Sequence, residues 1–103
     1  MNAEALKGHL DTLILAVLET GPLHGYAIIE RLKQRSAGAL VLPEGTVYPA
    51  LHRLEATRLL SSSWSDGRRR RRVYRLTPAG RRELASRRDQ WRAFTAAIEA
   101  VLA

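Results

Sequence analysis

Apolar residues recur at Leu6, Leu10, Leu13, Ile14, Val17 and Leu18. Steps of three and four gather them into one stripe on a helix. Gly21-Pro22 supplies the stop, so the spacing predicts a first helix over residues 4–20. A second helix is expected from His24 or Gly25, with Tyr26, Ile29 and Leu32 on its buried face beside Ile28, fading by Ser36-Ala37-Gly38. The segment ALVLP at 39–43 reads as either a small strand or an extended connector, stopped by Pro43. A third helix is expected over 44–59, with Val47, Ala50 or Leu51, and Leu54 turned inward. Pro49 is discordant there. A proline deep in a helix loses a hydrogen bond and clashes with the turn before it, and it is best tolerated within the first turn. The expectation is a late regular start, capped by Thr46, after a looser turn.

The pattern then changes from helical to extended. LLSSSWS (59–65) and RVYRLT (72–77) read as two strands, with Asp66-Gly67 supplying turn chemistry between them. They form a hairpin appended to a helical core. Thr77-Pro78 is a strong helix start, Thr as cap and Pro at the first helical position. The last helix should run to Leu102, over about 35 Å and longer than so small a body can cover. Leu84, Trp91 and Ile98 are seven apart along it, and Phe94 and Val101 lie three after two of them. This heptad-like seam calls for a partner helix. Arg87 breaks it early, which places the tight contact in the second half. The fold class is mainly α with a small β-hairpin, divided as 1–77 and a long C-terminal helix over 78–103.

Composition narrows the function classes. At 103 residues the chain fits one small domain with a thin core, and 46% hydrophobic residues argue for folding rather than disorder. There is no cysteine, which removes disulfides, thiolate metal sites and thiol nucleophiles together. LILAVL at 13–18 is too short to span a bilayer, and MNAEALKGHLD lacks the order of a signal peptide, so a cytoplasmic protein without membrane partners is expected. Lys plus Arg number 17 against 10 Asp plus Glu, a formal charge of +7. That balance suggests a polyanionic partner, nucleic acid or an anionic membrane. The membrane option is weaker, because the charge gathers on a hairpin rather than on one face of an amphipathic helix.

The segment SDGRRRRRVYRLT (65–77) carries Arg68, Arg69, Arg70, Arg71 and Arg72 in a row. The order helix, helix, helix, hairpin, long helix makes the hairpin a wing beside the third helix, a winged helix-turn-helix. That helix would enter a major groove while the wing reaches phosphates or the minor groove of double-stranded DNA. Alternate residues of a strand diverge, so about three of the five arginines would reach DNA. The plain alternative is a solvated charge run. On the third helix Thr46, Tyr48, His52 and Arg53 avoid the apolar face. Arg53 can bond guanine through both guanidinium nitrogens, and Thr46 and Tyr48 can bond phosphate or base edges. Against this, Tyr48 can pack on the wing and His52 can simply be exposed. Tyr26 reads equally as a phosphate contact or as a core ring with a wet tip. Trp64 is expected as a core or hairpin residue.

Three stretches, LILAVLETGPLHGYAIIERL, EGTVYPALHRLEATRLL and RVYRLTPAGRREL, resemble the PadR family of bacterial transcriptional regulators. The specific parts are G-T-x-Y-P-A-L-x-R-L-E at 45–55 and Y-x-L-T-x-x-G at 74–80, and the likeness covers the chain from about Lys7 onward. The resemblance implies a winged helix-turn-helix homodimer, usually a repressor, of the short subfamily with one C-terminal helix. It implies DNA contact by Tyr26, Thr46, Tyr48, Pro49 and Arg53. It further implies a dimer interface in which the last helix meets helix one of the partner, with Leu6, Leu10, Leu84, Trp91, Phe94, Ile98 and Val101 as candidates. Two-fold symmetry then implies an inverted-repeat operator. Some short members bind flat aromatic effectors against a tryptophan of the last helix, and Trp91 is placed like that residue; plain packing is the alternative. A wing of five arginines is more basic than is usual in the family.

Two other classes compete. A small RNA-binding or ribosome-associated protein is allowed by size and charge, but the chain has no recognisable RNA module. An enzyme has little support: His9, His24 and His52 lack metal-ligand spacing, and there is no thiol, Gly-rich phosphate loop or catalytic cluster. No metal and no cofactor are expected.

Overall fold

The computed structural model describes Leu6 and residues 8–103. Along them run α1 (Leu10–Val17), β1 (Leu23–His24), α2 (Gly25–Arg35), α3 (Glu44–Ala56), β2 (Leu60–Trp64), β3 (Arg72–Leu76) and α4 (Pro78–Leu102). Helix α1 is shorter than its apolar stripe. Gly8 sits at φ +83, a left-handed turn that separates buried Leu6 from the helix capped at His9. The expected first turn at residues 4, 5 and 7 lies outside the described residues.

One core joins the helices. Ile14, Leu15, Val17 and Leu18 meet Ile28, Ile29 and Leu32 of α2 and Val47, Ala50, Leu51 and Leu54 of α3. Both Ala50 and Leu51 are fully buried, so α3 presents a wider apolar face than three positions would give. Tyr26, expected inward, is exposed. Residues 39–43 form a connector without strand pairing, in which Leu40 and Leu42 are buried and Val41 is exposed.

Helix α3 starts early rather than late. Its first turn closes on the Pro43 carbonyl, which accepts from the N–H of Thr46 at 3.0 Å and of Val47 at 3.2 Å. Thr46 is therefore inside the helix and is not its cap. Pro49 lies in the second turn. The hydrogen bond it forfeits is to the carbonyl of Gly45, and both residues are exposed, so water can satisfy that carbonyl.

The hairpin does not stand alone. Leu23 pairs with Tyr74 and His24 with Val73, so β1 joins the sheet in the order β1-β3-β2. Two residues are too few for a periodicity, which is why the sequence pattern does not reveal β1. Along β2 and β3, Leu60 faces Leu76 and Ser62 faces Tyr74; Leu60 and Tyr74 are buried and the rungs point toward the helices. Burial also pushes the Tyr74 hydroxyl above its ordinary pKa.

Helix α4 begins as expected. The Thr77 hydroxyl accepts from the Gly80 N–H at 2.9 Å and donates to the Arg58 carbonyl at 2.7 Å. Gly80 permits close approach: a Cβ there would stand 2.1 Å from the Leu59 carbonyl oxygen. One turn later Leu84 is sealed in the core. The contacts of α4 with the body continue to Trp91, which meets His9, and the molecule extends 54 Å in its longest dimension.

Candidate nucleic-acid interface

The exposed side of α3 follows from its buried one. At 3.6 residues per turn, burial of Val47, Ala50, Leu51 and Leu54 turns Gly45, Pro49 and His52 directly outward. Thr46 and Arg53 fall on the flank nearest α1, where Arg53 pairs with Asp11 at 3.1 Å and its side chain stays 60% exposed. Tyr48 and Glu55 fall on the opposite flank, toward the sheet. Thus Arg53 is reachable but held to one side, and His52 stands clear of any partner among the described residues.

A cleft of about 520 Å³ opens on the sheet flank. His24, Gly25 and Tyr26 at the start of α2 form one wall, Tyr48 the floor, and Arg69, Arg70, Arg71 and Arg72 the other wall. No carboxylate lines it. The Tyr48 ring is pressed on the α2 N-terminus, where a Cβ on Gly25 would come within 2.5 Å of the Tyr48 hydroxyl oxygen. Tyr48 is therefore half-buried between α2 and α3 with its hydroxyl at the cleft. Tyr26 is 56% exposed beside it, which removes its reading as a core ring.

His24 organises the cleft, although its sequence context suggests only a bland role at a helix start. Its Nδ1 accepts from the Ala27 N–H at 3.2 Å and caps α2 in place of the usual Ser, Thr, Asp or Asn. Burial first, and the Arg71 charge second, hold its pKa below the ordinary imidazole value. A neutral imidazole has one acceptor nitrogen. A guanidinium nitrogen of Arg71 lies 2.9 Å from Nε2, so the Ala27 N–H and Arg71 compete for the single acceptor of the ring, and His24 satisfies one of them at a time.

The other arginines differ among themselves. The Ser65 N–H donates to the Arg71 carbonyl at 2.8 Å, which closes a loop holding Arg68, Arg69 and Arg70. Arg68 and Arg69 have no ion pair among the described residues. Arg70 lies over the Trp64 ring at 5.0 Å. Arg72 alone of the five is in the strand, and it is engaged by protein: Nε donates to the Ser62 hydroxyl at 2.8 Å and a terminal nitrogen lies 3.6 Å from Glu55. Trp64 is on the hairpin as expected, but it is 53% exposed and not in the core. Asp11, Glu55 and Trp64 are not among the residues that the sequence pattern assigns to this surface; only contacts across elements reveal them.

The far end has different chemistry. Leu84 and Leu6 are consumed by the chain's own core and Leu10 packs partly against it, so the first part of the expected seam is not a free surface. Trp91, Phe94, Ile98 and Val101 remain 48%, 55%, 44% and 84% exposed. A groove of about 930 Å³ runs between α1 and α4, with Leu13, Ala16, Trp91 and Phe94 among its apolar walls and Glu83 and Arg87 at its edge. The His9 ring meets Trp91 edge-on, centroids 5.1 Å apart. No helix among the described residues is long and apolar enough to cross a membrane.

Known proteins share this fold. The chain is 50% identical over 68 residues to a transcriptional regulator of Mycobacterium tuberculosis, covering 64% of this chain and 60% of that protein. A transcriptional regulator from Clostridium thermocellum superimposes with a TM-score of 0.88 at 29% identity, covering 94% of this chain and 96% of that one. Bacillus subtilis PadR, solved in complex with operator DNA, aligns with a TM-score of 0.69 at 26% identity, over 77% of this chain and 46% of its own. The model of the transcriptional regulator PadR-like family matches residues 14–86, and the chain belongs to that family.

Proposed function

We propose that the protein is a homodimeric, sequence-specific DNA-binding repressor working in the cytoplasm, with α3 in the major groove and the arginine loop on the flanking backbone. The observation that carries this reading is the carboxylate-free cleft where the α2 N-terminus, Tyr26, Tyr48 and four arginines converge beside the exposed face of α3. A helix N-terminus favours an anion. The Tyr26 and Tyr48 hydroxyls can donate to one. A phosphate would give Arg71 a charged acceptor that it need not share with the Ala27 N–H. Thr46, Pro49 and His52 would meet base edges, and Arg53 would exchange its exposed pair with Asp11 for guanine at little cost. The operator complex of the Bacillus subtilis relative supports the same partner here.

In this reading the exposed Trp91, Phe94, Ile98 and Val101 meet a second copy, since a row of large apolar side chains beyond the body is a surface that association would cover. Two-fold symmetry then sets an inverted repeat with half-sites about 10–10.5 bp apart or a multiple. The groove at Trp91 would hold a flat aromatic effector within the dimer. Such a ligand regulates only by favouring one spacing of the two α3 helices.

The test is fluorescence anisotropy of a labelled duplex from the gene's own upstream region. A shuffled duplex and a structured RNA of equal length run beside it. The expected result is a preference of orders of magnitude for the upstream duplex that persists as salt rises. Equal binding to all three, released together by salt, would overturn sequence-specific recognition; preference for the RNA would favour the RNA-binding alternative.

A further inference from the structure

The wing loop carries a run of like charges; Ser65 and Arg71 close its base through two hydrogen bonds, but these do not place the arginine side chains or fix the loop against α3. Long arginine side chains have large rotamer freedom. Neighbouring guanidinium groups also repel. Yet the two strands below the loop end in an unusual rung. Trp64 stands directly opposite Arg72, on the face that carries Ser62 with Tyr74 one step deeper and Leu60 with Leu76 below that. That face looks toward α3. Where the apolar rungs stop, a charged contact takes over: Glu55, in the last turn of α3, accepts a hydrogen bond from the Ser62 hydroxyl and an ion pair from Arg72. Arg72 also donates through Nε to the same Ser62. Its guanidinium carbon lies 5.5 Å from the Trp64 ring centroid, and that of Arg70 lies 5.0 Å from it. The contacts form an unbroken chain from α3 through Glu55, Arg72 and Trp64 to Arg70.

We propose that this chain is a buckle that fixes the wing loop relative to α3, and that Arg72 is a positioning residue rather than a DNA contact. The buckle commits one arginine to the protein so that the others are presented in a fixed place. Among the described residues Glu55 is the carboxylate that pairs with the wing from α3; it lies outside the cleft lining and engages Arg72, which leaves Arg69, Arg70 and Arg71 of the cleft wall without a carboxylate partner. Ordering the loop before binding lowers the entropy lost when Arg68, Arg69 and Arg70 meet an anionic backbone. This proposal rests on the DNA-binding reading for its consequence, but its structural half does not.

Two arms separate the parts. In the free protein, heteronuclear NOEs of the backbone amides of residues 66–71 are compared between wild type, Glu55→Ala and Trp64→Leu, with thermal melts as a folding control. The buckle predicts a clear fall in the loop NOEs in both variants with melts close to wild type. Unchanged loop NOEs in Glu55→Ala overturn the proposal whatever the protein binds. The second arm measures the slope of log affinity against log salt on duplex DNA for Arg72→Ala and Arg69→Ala. Each neutralised phosphate adds about 0.9 to that slope. The buckle predicts that Arg72→Ala weakens binding several-fold with the slope unchanged, while Arg69→Ala lowers the slope by about 0.9. A slope lowered equally by Arg72→Ala makes Arg72 a phosphate contact and overturns its positioning role. Should wild type fail to bind duplex DNA in this arm, the DNA reading falls, and the first arm still decides the buckle.

Discussion

The wing and the long helix are both rich in arginine, and they use it in opposite ways. On α4, Arg87 pairs with Glu83 at 2.8 Å, Arg92 with Asp89 at 3.7 Å, and Arg88 grips Glu19, just past α1, through two 2.8 Å hydrogen bonds. The Arg88 hydrogen bond holds the Glu19 carboxyl below its ordinary pKa, and Glu19 raises that of Arg88. On the wing, Arg68 and Arg69 have no ion pair among the described residues, Arg70 leans on an indole, and Arg71 meets an imidazole whose one acceptor the Ala27 N–H also uses. The formal charge of +7 is thus an average over a helix where three of five arginines are ion-paired and a wing run of five where, among the described residues, Arg72 alone is. What marks a surface for an anionic partner is the missing carboxylate, not the arginine count.

Substitutions can break this contrast at either end. The largest effect is expected inside α4, where Leu84→Ala should cost about 2–5 kcal/mol in denaturant melts because its side chain is fully enclosed. Trp91→Ala, two turns on, should leave the fold nearly as stable and instead dissociate the proposed dimer, measured by sedimentation. Next is Gly80→Ala, which forces a Cβ into the Leu59 carbonyl and should cost about 1–3 kcal/mol. At the charged ends, Arg88→Ala should change stability by no more than about 1 kcal/mol, as exposed pairs do, and leave the salt dependence of DNA binding unaltered. A wing variant with Arg68, Arg69, Arg70 and Arg71 all replaced by alanine should lower that dependence by up to about 3.6, at about 0.9 for each phosphate no longer neutralised.

The smallest effect concerns His24. Its folded-state pKa is lowered, so the unfolded chain binds the proton more readily. Its contribution to stability is therefore complete above the ordinary imidazole value of about 6.5 and is lost as pH falls below it toward the folded value. His24→Asn keeps a capping side chain and removes the titration. The variant should lack the part of the stability loss that wild type shows just below pH 6.5, measured by chemical denaturation across pH.

How much is legible in the sequence depends on the range of the interaction. Steps of three and four locate α2, α3 and the core face of α3, because burial of a helix stripe is written in consecutive turns. Thr77-Pro78 locates the start of α4, because capping is local. The pattern reads the first helix as unbroken, whereas Gly8 adopts a positive φ just before α1 that its apolar neighbours do not announce. Thr46 reads wrongly as a cap if Pro49 is held to exclude a full turn before it, whereas an exposed carbonyl at Gly45 makes that proline tolerable. The arginines of the wing are visible as a run, but their division into free and engaged is not. Arg53 with Asp11, Arg72 with Glu55 and Arg71 with His24 all join elements distant in the chain, and no periodicity encodes them. The Thr-Pro start of α4 has a local signature; a carboxylate that reaches across from another helix has none.

The most direct test of the account is a hydroxyl-radical footprint of the protein on the duplex from its own upstream region. The account predicts two symmetric protected patches on one face of the DNA, centred about one helical turn (10–10.5 bp) or a multiple apart, each flanked by backbone protection that the four-arginine wing variant loses. A single unsymmetric patch, or flanking protection that survives removal of those arginines, would contradict it.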